Sequence, residues 1–203
     1  MTDTQPKLLI ATNNAGKVAE FRQILHGSGW QVVAPAELGI SIEPDESGTT
    51  YHENARLKAQ AFADASGLAA LADDSGLEVD ALSGEPGALH HLHGWDGADQ
   101  ADRVAILLRA MQGIPAGQRS ARFRAVIVIV LPDGRVIEEE GASEGTIAES
   151  PSGSEGFGYD PVFIPAGRDR TMAQLGIEEK NRISHRAIAA SKVRERLSEL
   201  ARR

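Results

Sequence analysis

The chain predicts an α/β or α+β fold, and three observations carry the prediction: short apolar runs alternate with stretches of helical spacing, the first run turns directly into a helix, and a hairpin is marked by Pro132-Asp133-Gly134. Lys7 to Ala11 reads as the first strand. After the polar turn Thr12-Asn13-Asn14, the apolar residues Val18, Phe21, Ile24 and Leu25 share one helical face, and Gly27 and Gly29 end that helix. Trp30 to Ala34 is a second strand, and the strand-to-helix unit before it suggests some parallel pairing.

Residues 41 to 50, SIEPDESGTT, form an acidic loop that feeds a helix over Tyr51 to Ala65, with Ala55, Leu57, Ala61 and Phe62 recurring along it. Leu68 to Ala72 is a buried-strand candidate running into Asp73-Asp74-Ser75-Gly76, which places two carboxylates at its carboxyl end. Ser83 to Gly97 reads as a loop and Gln100 to Met111 as an amphipathic helix. Ala121 to Leu131 and Arg135 to Glu139 are the hairpin arms, with Val126 to Val130 crossing the core. SPSGSEGFGYD, residues 150 to 160, is glycine-rich loop; Ile177 to Leu200 is a long helix interrupted near Ser184.

At 203 residues the chain suits one sizeable core, so 1–203 is expected to be a single domain. Hydrophobic residues at 41% and charged residues at 25% match an ordinary globular protein rather than a disordered one. The chain has no cysteine, which excludes disulfides, thiol nucleophiles and thiolate metal sites and leaves only oxygen or imidazole ligands. The start lacks a basic segment before a long apolar run, and no apolar stretch approaches the ~20 residues of a membrane span, so a cytoplasmic location without membrane contact is expected. With 29 acidic against 21 basic side chains the formal net charge is −8, which opposes nucleic-acid binding. A small anionic substrate would need a local cluster of cations and backbone N–H groups, usually helped by a divalent ion.

Such clusters exist. Thr12, Asn13, Asn14, Ala15, Gly16 and Lys17 join a strand to a helix, where free N–H groups and the helix dipole favour an anion. The spacing is not that of a Walker motif, and alone the segment reads as an Asn-rich helix cap. Asp73 and Asp74 point to opposite faces of an extended backbone, so one is expected to act and the other to support. A carboxylate there can hold magnesium or accept a proton from water, against the ordinary reading of an acidic turn. Asp45 and Glu46 offer a further magnesium ligand from the acidic loop, though alone they read as solvated loop charge, and Asn54 and Lys58, one helical turn apart, can face one cleft or form an exposed helix face. Phe157-Gly158-Tyr159-Asp160 puts two aromatics in a glycine-rich loop of a chain with 4% aromatic residues, either a stacking platform for a base or an anchor for the loop. Lys180, His185 and Arg186 in EKNRISHRAIA bring donors for phosphate and base from near a helix start, or a solvated basic face.

The ordered set LLIATNNAGKVAEF, ESGTTYHENARLKA, ADDSGLEVDAL, EGFGYDPVF and EKNRISHRA resembles the inosine/xanthosine triphosphate pyrophosphatase family across nearly the whole chain. The resemblance implies an elongated mixed sheet flanked by helices, two lobes around a central nucleotide cleft, and a homodimer. It implies magnesium-dependent hydrolysis, with manganese as a substitute, of dITP, ITP and XTP between the α- and β-phosphates. By matching positions, Thr12 to Lys17 and Lys58 would hold the triphosphate, Asp74 would bind metal and accept the proton, Ser75 would touch substrate, Asp73 would support them, and Glu46 would be a second metal ligand. Phe157 to Asp160 would form the nucleoside pocket, and Lys180, His185 and Arg186 would contact phosphate and base. Donors from His185 or Arg186 would pair a 6-oxo purine and leave adenine mismatched, a class of discrimination that reaches on the order of 10⁴.

One stretch departs from the family: Ala88-Leu89-His90-His91-Leu92-His93-Gly94-Trp95 stands where a Ser-Ala-Arg-aromatic segment is usual. Neighbouring His90 and His91 do not readily share one ion, so the stretch reads as a rearranged loop bearing on dimer contacts or cleft closure rather than a metal site. Two other functions stay open: a nucleotide-binding sensor without hydrolysis, and a pyrophosphatase for modified pyrimidine or m7G-like nucleotides.

Overall fold

The computed structural model describes residues 5–90, 94, 95, 97 and 99–202. In chain order its strands and α-helices are β1 (Lys7–Ile10), α1 (Ala15–Ile24), β2 (Gln31–Val33), α2 (Tyr51–Ser66), β3 (Ala69–Val79), α3 (Gln100–Ala110), β4 (Ser120–Val130), β5 (Val136–Ile147), β6 (Phe163–Pro165), α4 (Ile177–Ile183) and α5 (His185–Leu200). The strands form one six-stranded sheet in the order β2-β1-β3-β4-β5-β6. It is mixed: β1 runs parallel to β2 and β3, whereas β5 and β6 are antiparallel. The parallel pairing and the hairpin are both as the sequence predicts, and the fold is α/β.

Two compact units divide the chain, with the boundaries falling inside β3, β4 and β5 and at the start of α5. The first comprises Met1–Asp74, Ala125–Gly141 and Arg186–Arg203. Its core gathers Leu8, Ile10, Phe21, Leu71, Ile127 and Leu197, with Trp30 packed against it and donating its indole N–H to the carbonyl of Leu197 at 3.0 Å. Ala125 to Val130 is buried at every position, as a strand covered on both faces must be. The second unit comprises Ser75–Arg124 and Ala142–His185. Its core holds Leu77, Val79, Leu107, Phe123, Val162 and Phe163. Trp95 joins it and donates to Glu85 Oε2 at 3.2 Å.

Three expectations are corrected. β3 does not stop at the paired aspartates but continues to Val79, because Leu77 and Val79 beyond them are fully buried and keep the strand in the sheet. The carboxylates are therefore mid-strand. On α2 the inward face is Tyr51, Asn54, Ala55, Lys58, Ala59 and Phe62; Leu57, expected to point inward, is 41% exposed. The terminal helix does break at Ser184, whose φ of −70° and ψ of 146° are extended, and so Lys180 lies on α4 while His185 and Arg186 begin α5. They are not presented by one helical turn. Sequence reading also missed β6, three residues long, and ended β5 eight residues early.

Of the unusual histidine loop, His91, Leu92 and His93 lie outside the described residues. His90 accepts the backbone N–H of Trp95 at 3.1 Å through its carbonyl. Among the described residues no three His, Asp or Glu side chains gather as a metal cluster, and no helix is long and apolar enough to cross a membrane.

Candidate active site

In the first unit β1 delivers the chain into the turn at Thr12, and Asn14 caps α1: its side-chain oxygen accepts the backbone N–H of Gly16 at 2.9 Å and of Lys17 at 3.2 Å. Two of the N–H groups expected to cradle phosphate are thus already used within the cap. Thr12 Oγ1 accepts the N–H of Asn14, and Asn13 donates to the carbonyl of Ile42, tying the turn to the acidic loop. Lys17, three residues into the cap, points to the sheet rather than to solvent.

Its ammonium donates to both oxygens of Asp73, at 3.0 and 3.1 Å. The other side of Asp73 is taken by Arg186, whose Nε donates to Oδ2 at 3.0 Å; Arg186 also reaches Glu20 at 3.3 Å. Asp73 and Arg186 are each 2% exposed at the side chain. Burial alone would raise the Asp73 carboxyl, but Lys17, then Arg186 and Lys58, outweigh it and hold the group well below the usual carboxylate range. Asp73 therefore stays ionised and immobile.

Asp74, one residue on and 14% exposed, has a different environment. Lys58 donates to its Oδ1 at 2.9 Å and lies 3.5 Å from Glu46 Oε2. Burial pushes the Asp74 carboxyl up, Lys58 opposes, and the neighbouring charges of Glu46 and Asp73 push it up further. The result is a raised carboxyl. Burial would lower Lys58, but Asp74, Glu46 and Asp73 together raise it. The two neighbouring carboxylates thus shift in opposite directions, Asp73 held as an anion by its cations and Asp74 raised chiefly by burial.

Thr12, Asn13, Lys17, Glu46, Lys58 and Asp73 line a cavity of about 230 Å³ in this unit. Lys58 holding both Asp74 and Glu46 shows that one cation can serve these two carboxylates. That arrangement fits magnesium, which takes one or two carboxylates and fills its remaining positions with water and phosphate oxygens.

In the second unit the loop before β6 is organised by Asp160, which is buried and accepts the backbone N–H of Phe157 at 2.9 Å and the ammonium of Lys180. Gly156 allows this: a Cβ there would collide with the Asp160 carboxylate and Lys180, and its φ of 82° is itself a glycine conformation. The turn leaves the Phe157 ring 51% exposed, with Lys180 Nζ 4.8 Å from its centroid. That exposure leaves a ring face open to a stacking partner, which favours the platform reading over the anchor. Tyr159 instead packs on the core, with Gly158 beside it at φ 62°. His185 is buried and stacks on Phe123 at 4.8 Å and 12°. Ser75, half-buried, opens this unit's part of β3.

Lys180, His185 and Arg186 thus serve three different neighbours: the Asp160 carboxylate, the Phe123 ring, and the Asp73–Glu20 pair. Two participants escaped sequence reading. Glu20 could have been found, since it lies at i+3 from Lys17 on α1 and so shares its face. Arg119 could not. Its buried guanidinium donates to the carbonyls of Ile147, Met111, Ile114 and Ala148, partners that no side-chain pattern reveals.

Comparison with known proteins gives a single answer. The chain is 46% identical over 202 residues to the dITP/XTP pyrophosphatase of Symbiobacterium thermophilum, covering 97% of this chain and 98% of that one. It is 44% identical to the dITP/XTP pyrophosphatase of Bacillus subtilis, covering 91% and 93%. The solved Ham1 protein of Staphylococcus aureus superposes with a TM-score of 0.85 at 36% identity, over 96% of this chain and 99% of that one. With residues 8–196 matching the Ham1 family model as well, the chain belongs to the Ham1 family.

Proposed function

We propose that this protein hydrolyses the aberrant purine nucleotides dITP, ITP and XTP to the monophosphate and pyrophosphate. The observation that carries the reading is the raised, lysine-bridged carboxyl of Asp74 beside the fixed anion of Asp73, in a chain whose relatives are dITP/XTP pyrophosphatases. Water attacks the α-phosphorus, the bond from that phosphorus to the bridging oxygen breaks, pyrophosphate leaves, and the water proton passes to Asp74 Oδ. Asp74 and Glu46 would hold magnesium, with manganese as a substitute, which when bound neutralises phosphate charge and lowers the pKa of water. Lys17 and Lys58 supply cations for the triphosphate, and the Thr12–Gly16 turn offers the N–H groups that its own cap does not use. Asp73 holds Lys17 in register for that task.

For the base, Phe157 offers its exposed face for stacking with Gly158 beside it, Asp160 and Gly156 set the loop's position, and Lys180 adds charge above the ring. Ser75, Tyr159 and His185 remain proposed substrate contacts on the strength of the motifs that carry them. Arg186 is reassigned: committed to Asp73 and Glu20, it orients the carboxylate rather than reading the base. A homodimer in the cytoplasm acting on free nucleotides, with no nucleic-acid partner, completes the proposal; the formal charge of −8 supports its last part.

The deciding assay is pyrophosphate release from dITP, XTP, dATP and dGTP, with magnesium and with a chelator. Metal-dependent release from dITP and XTP, with little from dATP or dGTP, is expected. Tight binding without release would instead identify a sensor.

A further inference from the structure

We propose that Gly48 is a positioning residue for Glu46: the missing side chain lets the acidic loop seat against the first turn of α2, and that seat fixes where the Glu46 carboxylate lies. The inference rests on the reading of Glu46 as a metal ligand. The end of the loop is stapled to the helix. Glu53 Oε2 accepts the N–H of Thr49 at 2.7 Å, its hydroxyl at 2.9 Å and the N–H of Thr50 at 3.2 Å, while Thr50 Oγ1 accepts the N–H of Glu53 at 3.2 Å. Only Ser47 and Gly48 separate this staple from Glu46, whose carboxylate reaches Lys58 at 3.5 Å.

A Cβ on residue 48 would stand 2.6 Å from Asn54 Oδ1, 2.6 Å from Glu53 Cβ and 2.9 Å from the Asn54 backbone nitrogen. The last two atoms belong to the framework of the helix and cannot rotate away. Asn54 is itself buried, so its amide has little room to turn. The φ of Gly48 is not in the left-handed region, so glycine is required here by contact and not by backbone conformation. Any side chain must back the loop off by about 1 Å to reach ordinary contact. Magnesium–oxygen distances hold near ~2.1 Å, so a retreat of that size, passed through Ser47, takes Glu46 out of direct ligation. Gly48 touches neither metal nor substrate; it acts through Glu46.

The test is a double-mutant cycle read by Mn²⁺ titration under electron paramagnetic resonance, with a non-hydrolysable deoxyinosine triphosphate analogue present, and by the magnesium midpoint of pyrophosphate release. Gly48→Ala and Glu46→Gln should each raise the metal midpoint roughly tenfold or more. In the Glu46→Gln background, Gly48→Ala should add nothing, because the group it displaces is gone. Equal shifts in both backgrounds, or no shift from Gly48→Ala while Glu46→Gln shifts, would overturn the role of Gly48. No shift from Glu46→Gln would overturn the ligand reading beneath it. Should Gly48→Ala fail to fold by circular dichroism, Glu53→Ala, which frees the staple without a clash, should raise the midpoint only when Glu46 is present; a shift independent of Glu46 sinks the proposal equally.

Discussion

Lys17 and Asp73, 56 residues apart in sequence, meet through both carboxylate oxygens at 3.0 and 3.1 Å, and the contact binds the start of α1 to the middle of β3. A charge so deeply buried is tolerable only because it is paired on both sides, with Arg186 completing the set.

Asp73→Asn should therefore be a stability variant. Removing one member of a buried ion pair costs about 3–5 kcal/mol, and both Lys17 and Arg186 would lose their shared carboxylate. The folded carboxyl lies below its unfolded value of about 3.9, so its contribution is present above that pH and lost as the pH falls below it. Urea midpoints of the wild type should drop steeply below about pH 4 on this account, whereas Asp73→Asn should be weakened already at pH 7. Equal midpoints at pH 7 would refute the pairing argument.

Asp74→Asn should abolish turnover while nucleotide binding survives. The Asp74 carboxyl of the metal-free protein should titrate above the ordinary carboxylate value of about 3.9, because burial outweighs its lysine. Since Lys58 is the group that lowers Asp74, Lys58→Met should raise it further as well as reduce the rate. Carboxyl chemical shifts of the metal-free protein, followed against pH, check the direction.

Phe157→Ala should weaken nucleotide affinity by about 1–3 kcal/mol, the range of a base stacking on an aromatic ring. Its half-exposed ring supports little of the fold, so the thermal midpoint should stay close to that of the wild type. An unchanged KM with a lowered melting temperature would return Phe157 to a structural role.

Arg119→Met should unfold the second unit readily. The carbonyl of Met111 keeps the N–H of Ile114, but those of Ile147, Ile114 and Ala148 lose this donor as well, and an orphaned buried acceptor costs about 1–3 kcal/mol. Denaturant midpoints would show it without any assay of nucleotides.

Much of this was legible in the residues. The strand–turn–helix at Lys7 to Ile24 announces itself by a change of period, and the hairpin by Pro132-Asp133-Gly134. The aspartate pair misled in one respect: adjacent acids resemble the end of a strand, and only the distant partners Lys17, Arg186 and Lys58 make it possible for β3 to carry them through the sheet. Those partners come from three segments, which no local window joins. The same limit hid Arg119, whose ligands are backbone atoms and have no residue type to read. For Asn54 and Lys58 the spacing allows a shared cleft or an exposed helix face, and only the burial of both on α2 decides between them. Phe157 was ambiguous in sequence for a different reason: stacking platform and loop anchor call for the same side chain, and exposure alone separates them.

The two tryptophans fall one to each unit, Trp30 against the first core and Trp95 within the second. With Trp30→Phe or Trp95→Phe, the remaining indole becomes a fluorescent reporter for one unit alone. Superimposable unfolding curves from the two variants would mean that the halves melt as one cooperative body, and separated curves would assign each half its own stability. The chain thus carries its own pair of optical probes, already placed and requiring no label.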